Sequence, residues 1–492
     1  MKSFAELESE NQFLPILKTG GDLAGYIHLD GSDTKVSLTS EGFHHFDGDE
    51  VGWFELEVVD RRGSQILLHN ALNKSSSMPG LASGKRAGFY TSEIYPNVVI
   101  VGAENLRKDR TLSSLSFEFE GAENFFVYDT IEWLSFWQEP RKREVLKHIR
   151  KSAWKPPRAS RLKSDVNDPF DIYVIHRSKT YLDFEIEDMR IRVTHTQSHS
   201  GFGWTGLEIK LCPTVSITFD NPVSIDDALD RVWRIKGFFD QVATSDLRVK
   251  ALSFSKFKKG WPAASVYLPN EIRKTAGRQL DIHPIYVPFS RWKERKKFQQ
   301  VFKAWLQKSD KRRFFRAATR LSFLRLEDRQ DPTLLPILMA GVESLKELEA
   351  PSQLSKETIA LMVNAASEVE PTIELHFIKA ALGALRRTSP RSRLEVILNQ
   401  TLNDGDANEI PQLARRIVDS RNDVAHGRNF QNAQSTMTGT LAEFLANLCV
   451  EYDLETCGMP KQSEDTENRK TSAMIGMEQA LMAVRTLATA EV

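Results

Sequence analysis

Cysteine is scarce in this chain: Cys212, Cys449 and Cys457 are odd in number and show no C-x-x-C spacing. That excludes a disulfide framework and the common structural zinc sites, and reads as reduced, mostly buried thiols. Long apolar runs are missing too. The opening MKSFAELESENQF has no apolar signal core, and no stretch approaches the ~18 apolar residues of a membrane span. A cytoplasmic chain with no membrane partner is therefore expected. Nor is there an excess of charge of either sign, with 66 Lys+Arg against 66 Asp+Glu in 492 residues. Any nucleic-acid contact must then come from local patches.

Several catalytic signatures are also lacking. GFGWTG at 201–206 satisfies G-x-G-x-x-G through Gly201, Gly203 and Gly206, but the strand-like LEIKLC follows it. A dinucleotide site needs a helix there, to aim amide dipoles at the pyrophosphate. GLASGKR at 80–86 is one residue short of a phosphate-cradling loop and has no Ser or Thr after Lys85. His44 with His45, and His195 with His199, lack a recognisable set of partner ligands, so no metal and no cofactor is expected. H-E-x-x-H and a nucleophile elbow do not occur.

What the chain does have is order by halves, and the expected class is multidomain α+β. From about Leu23 to Gly121, short alternating runs are broken by turn residues, with Asp30-Gly31 a hairpin signal. VGWFELEVV, SQILLHNAL, NVVIVGA and LSSLSFEFE continue a β-rich, sandwich-like or barrel-like domain. Residues 130–163 turn helical around Pro140, and RKREVLKHIRKSAWKPPRASRLK within them carries ten basic residues against the single acid Glu144. Pro156-Pro157 marks a connection there. Strands resume with DIYVIHR, YLDFEIED, MRIRVTHT, LEIKLC and TVSITFD. A helix follows over IDDALDRVWRIKGFFDQVA, capped by Ser224, with Leu229, Val232, Ile235, Phe239 and Val242 on one side. LRVKALSFS and AASVYLP close the β-rich half.

After Ser290 the pattern is helical. Arg291–Arg325 holds thirteen basic residues against Glu294 and Asp310, interleaved with Trp292, Phe298, Phe302, Trp305, Phe314, Phe315 and Phe323. The aromatics are expected to face the core. The charges fit either a phosphate seat or a solvated helix face. With Arg428 further on, Arg313, Arg316 and Arg320 are the candidate nucleic-acid-binding residues. A helical bundle comes next: PTLLPILMAGVESLKELE with the stripe Leu334, Leu338, Val342, Leu345 and Leu348, then ETIALMVNAASEVE, IELHFIKAALGALRR, SRLEVILNQTL, the helix of Ile410–Arg428, and STMTGTLAEFLANLCVEYDL. KQSEDTENRKTS is a charged linker, followed by an amphipathic helix through Met474, Met477, Leu481, Val484 and Leu487 that needs a partner surface on this chain or another. The expected division is 1–290 for the β-rich region, with a sub-boundary near 155–165, 291–330 for a basic connector, 331–458 for the bundle, and 459–492 for the linker and last helix.

The chemistry concentrates in IPQLARRIVDSRNDVAHGR, residues 410–428. Ile410, Leu413, Ala414, Ile417, Val418, Val424 and Ala425 form one stripe, and Arg421 falls near its middle. A guanidinium there is always charged and costly to bury unpaired, so the fold must supply an anion or an open crevice. His426 stands before Gly427, a helix-terminating residue. On a straight helix His426 projects away from Arg421. The two converge only if the helix unwinds near Gly427 or a second copy packs alongside. Arg-x4-His alone is weak, occurring also as Arg143–His148, Arg190–His195 and Arg278–His283. Only Arg421–His426 adds Asn422, which shares a helix face with His426, and a long helical setting.

R-N-D-V-A-H-G over 421–427 resembles the Arg-polar-x3-His motif of HEPN-domain ribonucleases, specifically the C-terminal domain of ApeA-like bacterial antiphage proteins. The opening LDG followed by GFHHF is similar, more diffusely, to the N-terminal region of that family. The resemblance implies a metal-independent endoribonuclease in abortive infection, cleaving host RNA such as tRNA when a phage-derived trigger arrives. It also implies a homodimer or higher homo-oligomer through the HEPN domain, with the β-rich half as sensor. His426 takes the acid/base role, Arg421 stabilises the phosphate, and Asn422 orients one or the other. Glu343 resembles an acidic position in the first long helix of such domains, although helical projection places it opposite the apolar stripe, on a solvated face. Two rivals stand beside this reading: a non-catalytic HEPN scaffold for RNA binding or oligomerisation, and a β-domain ligand-binding module, for glycans for instance, that the helical part dimerises.

Overall fold

The computed structural model describes residues 2–11, 14–17, 24–40, 52–77, 90–126, 131–135, 171–175, 180–203, 206–271, 294–324, 331–349, 356–369, 388–402, 408–428, 432–459 and 471–490. The basic segment 136–163, the His44-His45 pair, GLASGKR, Trp292, IELHFIKAALGALRR and the linker at 461–470 lie outside them.

The first six strands close on themselves. β1 (Leu14–Leu17), β2 (Ala24–His28), β3 (Lys35–Ser40), β4 (Trp53–Asp60), β5 (Gln65–Ser77) and β6 (Tyr90–Val101) pair in the order β6-β3-β2-β1-β4-β5, and β5 returns to β6. Every pairing is antiparallel, so the result is a six-stranded barrel. Alternation drives it: Phe54, Leu56 and Val58 of β4 point into the core while Glu55 and Glu57 do not. β6 belongs to two sheets. Its first part, Tyr90–Ile94, pairs with β3, and Val99–Val101 pairs with β14 (Ala264–Tyr267). Pro96, which has no N–H to donate, lies between those two sets of partners.

The second sheet continues from β14 through β13 (Val249–Ser255), β7 (Leu112–Phe119), β12 (Gly206–Val223), β11 (Met189–Gly203) and β10 (Thr180–Ile186). A short hairpin, β8 (Ile131–Ser135) with β9 (Asp171–Ile175), stands apart. Gly203 pairs with Gly206 across the β11–β12 turn, so GFGWTG joins two strands, as expected. Helix α1 (Phe4–Asn11) opens the chain and α2 (Ala122–Phe125) is a single turn. Helix α3 (Ile225–Ala243) starts at Ser224, whose Oγ accepts from Asp227 N at 3.1 Å. Its buried face and α4 (Arg295–Gln307) meet the sheet in one aromatic cluster. Phe119 stacks on Phe239 at 4.6 Å and Phe238 lies 4.6 Å from Phe302. The aromatics of the basic run thus face the core, except Phe314, which is exposed.

The described helices that follow are α5 (Arg313–Leu324), α6 (Leu334–Glu343), α7 (Lys356–Val369), α8 (Pro390–Thr401), α9 (Ile410–Ala425), α10 (Asn432–Thr456) and α11 (Ser472–Ala490), and all but α7 contribute to the bundle core. Gly341 brings α6 against α5: a Cβ there would sit 2.9 Å from that of Ala318. α4 packs into the sheet's core, whereas α5 faces both units, with Phe315 in the bundle's core and Phe323 in the sheet's. Helix α10 serves both. Leu441–Cys449 lie in the bundle, while Val450, Leu454 and Cys457 join the core of the sheet unit. The partner of α11 is its own chain, with Met474, Met477, Leu481 and Val484 buried in the bundle core.

One expected helix is shorter than the pattern suggested. α6 ends at Glu343, and a single 3-10 turn covers Lys346–Leu348. Arg393 of α8 is the cause: its Nη1 donates to the main-chain oxygens of Glu343 at 2.7 Å and Leu345 at 3.0 Å. A buried guanidinium satisfies carbonyls that a continuing helix would need for itself. Among the described residues no helix is long and apolar enough to cross a membrane.

Candidate functional site

α9 holds two environments in one helix. Ile410, Leu413, Ala414 and Ile417 are buried, Val418 packs partly against the core, and from Ser420 onward no residue is fully buried. The last turns therefore carry Arg421, Asn422 and Asp423 half-buried, with Ala425 and His426 exposed. The apolar stripe read from sequence does not stay inside to its end.

Arg421 has the anionic partner that its position demands. Its Nη2 lies 3.5 Å from Glu343 Oε1, and its Nη1 donates to Asn422 Oδ1 at 3.0 Å. This corrects the placement of Glu343 on a purely solvated face: Arg421 of α9 lies beside the last turn of α6, and the glutamate is half-buried. The helix C-terminus, with its partial negative charge, suits two cations there. Arg393 takes the main-chain oxygens and Arg421 the side chain. Arg421 and Glu343 are 31% and 35% exposed, and a contact that long and that wet is worth well under 1 kcal/mol. A phosphate could displace it. Arg421 Nε is itself buried and has no hydrogen-bond partner among the described residues.

The helix ends as the sequence suggested. Gly427 adopts φ +63°, its N–H donates to Val424 O, and Arg428 N–H donates to Asp423 O at 3.1 Å. These are the paired bonds of a glycine-terminated helix. The chain unwinds only at Gly427, since His426 N–H still donates to Asn422 O at 3.0 Å. His426 thus keeps a helical projection roughly 140° from that of Arg421. Within one chain the structure brings together Arg421, Asn422 and Glu343, and sets His426 one turn beyond them.

The four residues expected at nucleic acid divide in two. Arg313 and Arg428 are exposed, the latter paired with Asp423 at 2.5 Å. Arg316 and Arg320 are corrected to structural roles. Arg316 is buried, bonded to Asp453 and stacked on the Trp305 ring at 3.7 Å. Arg320 contacts Asp240 and Asp246, each at 3.1 Å. These guanidiniums compensate buried carboxylates, which a phosphate would have to displace at great cost.

His195 is buried in the sheet unit with Nε2 donating to Phe126 O at 2.8 Å, a core histidine. Cys449 and Cys457 are buried free thiols, and burial pushes Cys457 up to about 11, far from thiolate reactivity. A cavity of about 450 Å³ lies between β10 and α4, lined by Thr180, Tyr181, Asp183, Arg295, Lys296, Gln299 and Gln300. None of the α9 residues borders it.

The family described as ApeA N-terminal domain 1 matches residues 18–305. The chain belongs to this ApeA family. The match takes in the barrel from β2 onward, the second sheet and α3, and stops at Trp305 within α4, two residues before the helix ends. It supports the antiphage-defence class that the sequence resemblance implies. No curated protein and no solved structure shows a significant match to the chain.

Two features of the site were not foreseen from sequence. Projection along α6 gives the face of Glu343 but not the arginine of α9 that meets it. Arg393 was not considered, although it stands one turn before Ile397 on the buried side of α8. A charged residue on an apolar stripe is the same signal that singled out Arg421.

Proposed function

We propose that the chain is a metal-independent HEPN-type endoribonuclease of antiphage defence, whose activation by infection degrades host RNA, tRNA among it. The observation that carries the reading is Arg421: a half-exposed guanidinium on a buried-stripe position, lightly held by Glu343 and oriented by Asn422, on the helix that ends at His426. RNA brings its own nucleophile, the 2′-hydroxyl, so a cut needs proton exchange and charge stabilisation but no metal-bound water. Histidine titrates nearest neutrality and suits the first task, and arginine's planar fork suits the second.

The outward projection of His426 points to two chains at work. Two α9 helices apposed through their half-exposed last turns would set the histidine of one beside the arginine of the other, and a homodimer or higher homo-oligomer follows. The β-rich half would then receive the phage-derived trigger. In cells expressing the wild-type chain, total RNA should fragment on triggering, and His426→Ala should protect it. Equal fragmentation in that variant would refute the assignment and favour a non-catalytic bundle.

A further inference from the structure

We infer that the β13–β14 turn, Lys256–Pro262, is a contact surface for single-stranded nucleic acid, with Trp261 as the platform for an unpaired base. The turn reads KFKKGWP, three lysines and two aromatics with no acid. Trp261 is 79% exposed and Phe257 45%, an unusual state for large rings when most aromatics among the described residues are buried.

The exposure is not that of a loose loop. Ser255 Oγ donates to Pro262 O and Ser114 Oγ to Phe257 O, each at 2.7 Å. Gly260 N–H donates to Phe257 O at 2.9 Å in a tight turn, and Lys256 N–H donates to Asn105 O at 2.9 Å. A ring presented on a fixed backbone loses little freedom when it binds, which favours contact.

The charges select the partner. Lys256 Nζ donates to Glu104 O at 2.8 Å and lies 5.6 Å from the Phe257 ring, while Lys258 Nζ donates to Asp220 O at 3.0 Å. Both contacts are to main-chain carbonyls, which position the ammonium groups without neutralising them. Lys259 is exposed. The adjoining loop adds exposed Arg107 and Lys108, and its two acids are engaged: Glu104 accepts from Gln65 N–H and Asp109 from Thr111. Protein-binding surfaces share the preference for tryptophan but are poor in lysine. Rings interleaved with lysines fit a strand whose bases stack and whose phosphates follow a cationic track.

The inference stands apart from the ribonuclease reading, and an oligothymidylate of about 20 nucleotides keeps them separate, because it has no 2′-hydroxyl to attack. With the full chain and a fluorescein-labelled oligothymidylate, anisotropy should report binding that weakens as KCl rises. Trp261→Ala should weaken it about five-fold or more, and Trp261→Phe should restore most of it. Lys258→Gln with Lys259→Gln should reduce the slope of log affinity against log salt by about 1. Melting curves of each variant confirm the fold. Absent binding, or affinity and slope unchanged in these variants, would overturn the assignment. So would an equal Trp261 dependence for polyglutamate or anionic vesicles, or a fall in oligomeric mass in Trp261→Ala, which would make the turn a contact between copies.

Discussion

Arg316 meets Asp453 through two parallel contacts, Nε to Oδ2 at 2.7 Å and Nη2 to Oδ1 at 3.1 Å, across 137 residues of chain. Both groups are buried, and Asp453 Oδ2 also accepts from Gln241 of α3 at 3.0 Å. Gln241 in turn accepts from Trp305 Nε1 at 2.9 Å. One carboxylate thus joins the bundle to the sheet unit. Burial works against its charge, but Arg316 and Arg312 outweigh that and hold the Asp453 carboxyl below its ordinary range. Such a depressed group stabilises the fold above its unfolded pKa, and the contribution is lost as pH falls below about 4. Asp453→Asn leaves buried Arg316 without an anion and Arg312 with Glu347 alone, and we expect a loss of about 3–5 kcal/mol in urea unfolding at pH 7. A change under about 1 kcal/mol would mean the network does not hold the units together.

The same geometry separates two neighbouring arginines. Arg316→Glu places a carboxylate beside Asp453 in a buried site and should prevent stable folding. Arg313→Glu, on the exposed face three residues earlier, should leave the melting temperature within a few degrees. Comparable melting of both variants would place Arg316 outside the structural core.

Glu451 titrates in the opposite sense. It is buried on α10 and accepts a hydrogen bond from Thr471 Oγ1, and burial pushes its carboxyl up to about 7. A raised pKa contributes stability that is fully present below the unfolded value and lost as pH rises through the folded one. Between about pH 4.5 and 7 the loss is at most about 3 kcal/mol. Glu451→Gln, neutral and similar in shape, should flatten that decline and be the more stable protein at pH 8. Identical pH profiles of thermal unfolding would remove Glu451 from the account.

The α9 motif makes activity and fold separable. Arg421→Ala and His426→Ala each remove a side chain with little buried contact, so helicity and oligomeric mass should be nearly unchanged while RNA cleavage stops. Glu343→Gln should likewise cost under about 1 kcal/mol, since the pair is long and about one-third exposed. Insoluble Arg421→Ala, or full specific activity in it, would assign the arginine to structure instead.

Local signals were legible in the sequence, and distant ones were not. The Ser224 cap, the α3 stripe and the Asp30-Gly31 turn depend on residues within a few positions of each other, and each lies where its pattern put it. Barrel closure depends on β5 returning to β6 and on β6 exchanging β3 for β14, neither of which leaves a mark in any short window. The basic run shows the same limit. Its residues were visible, but Arg316 and Arg320 are explained by Asp453, Asp240 and Asp246, far away in the chain. Glu343 shows it too: its place on α6, away from the apolar stripe, is a local matter, whereas Arg421 beside it comes from 78 residues further along the chain. For Arg421 the sequence left an anion or an open crevice as alternatives, and the fold supplies a part of each: Glu343 at 3.5 Å and a side chain 31% exposed.

The last prediction concerns the chemistry that the α9 residues can support. If His426 and Arg421 act as proposed, the attacking oxygen is the 2′-hydroxyl next to the scissile phosphate. The histidine exchanges the proton, and the guanidinium stabilises the charge that builds on the phosphate oxygens. Cleavage should then proceed in excess EDTA and spare DNA of the same sequence, which lacks that hydroxyl. The upstream fragment should end in a 2′,3′-cyclic phosphate or the monophosphate from its hydrolysis, and the downstream fragment should begin with a 5′-hydroxyl. A 2′-O-methyl group at the cut site removes the nucleophile and should stop the reaction there while cuts elsewhere continue. End-group analysis of the fragments decides the matter. A 5′-phosphate, or activity that disappears with chelator and returns with magnesium, would require a metal-bound water as nucleophile and direct attention to the carboxylates instead.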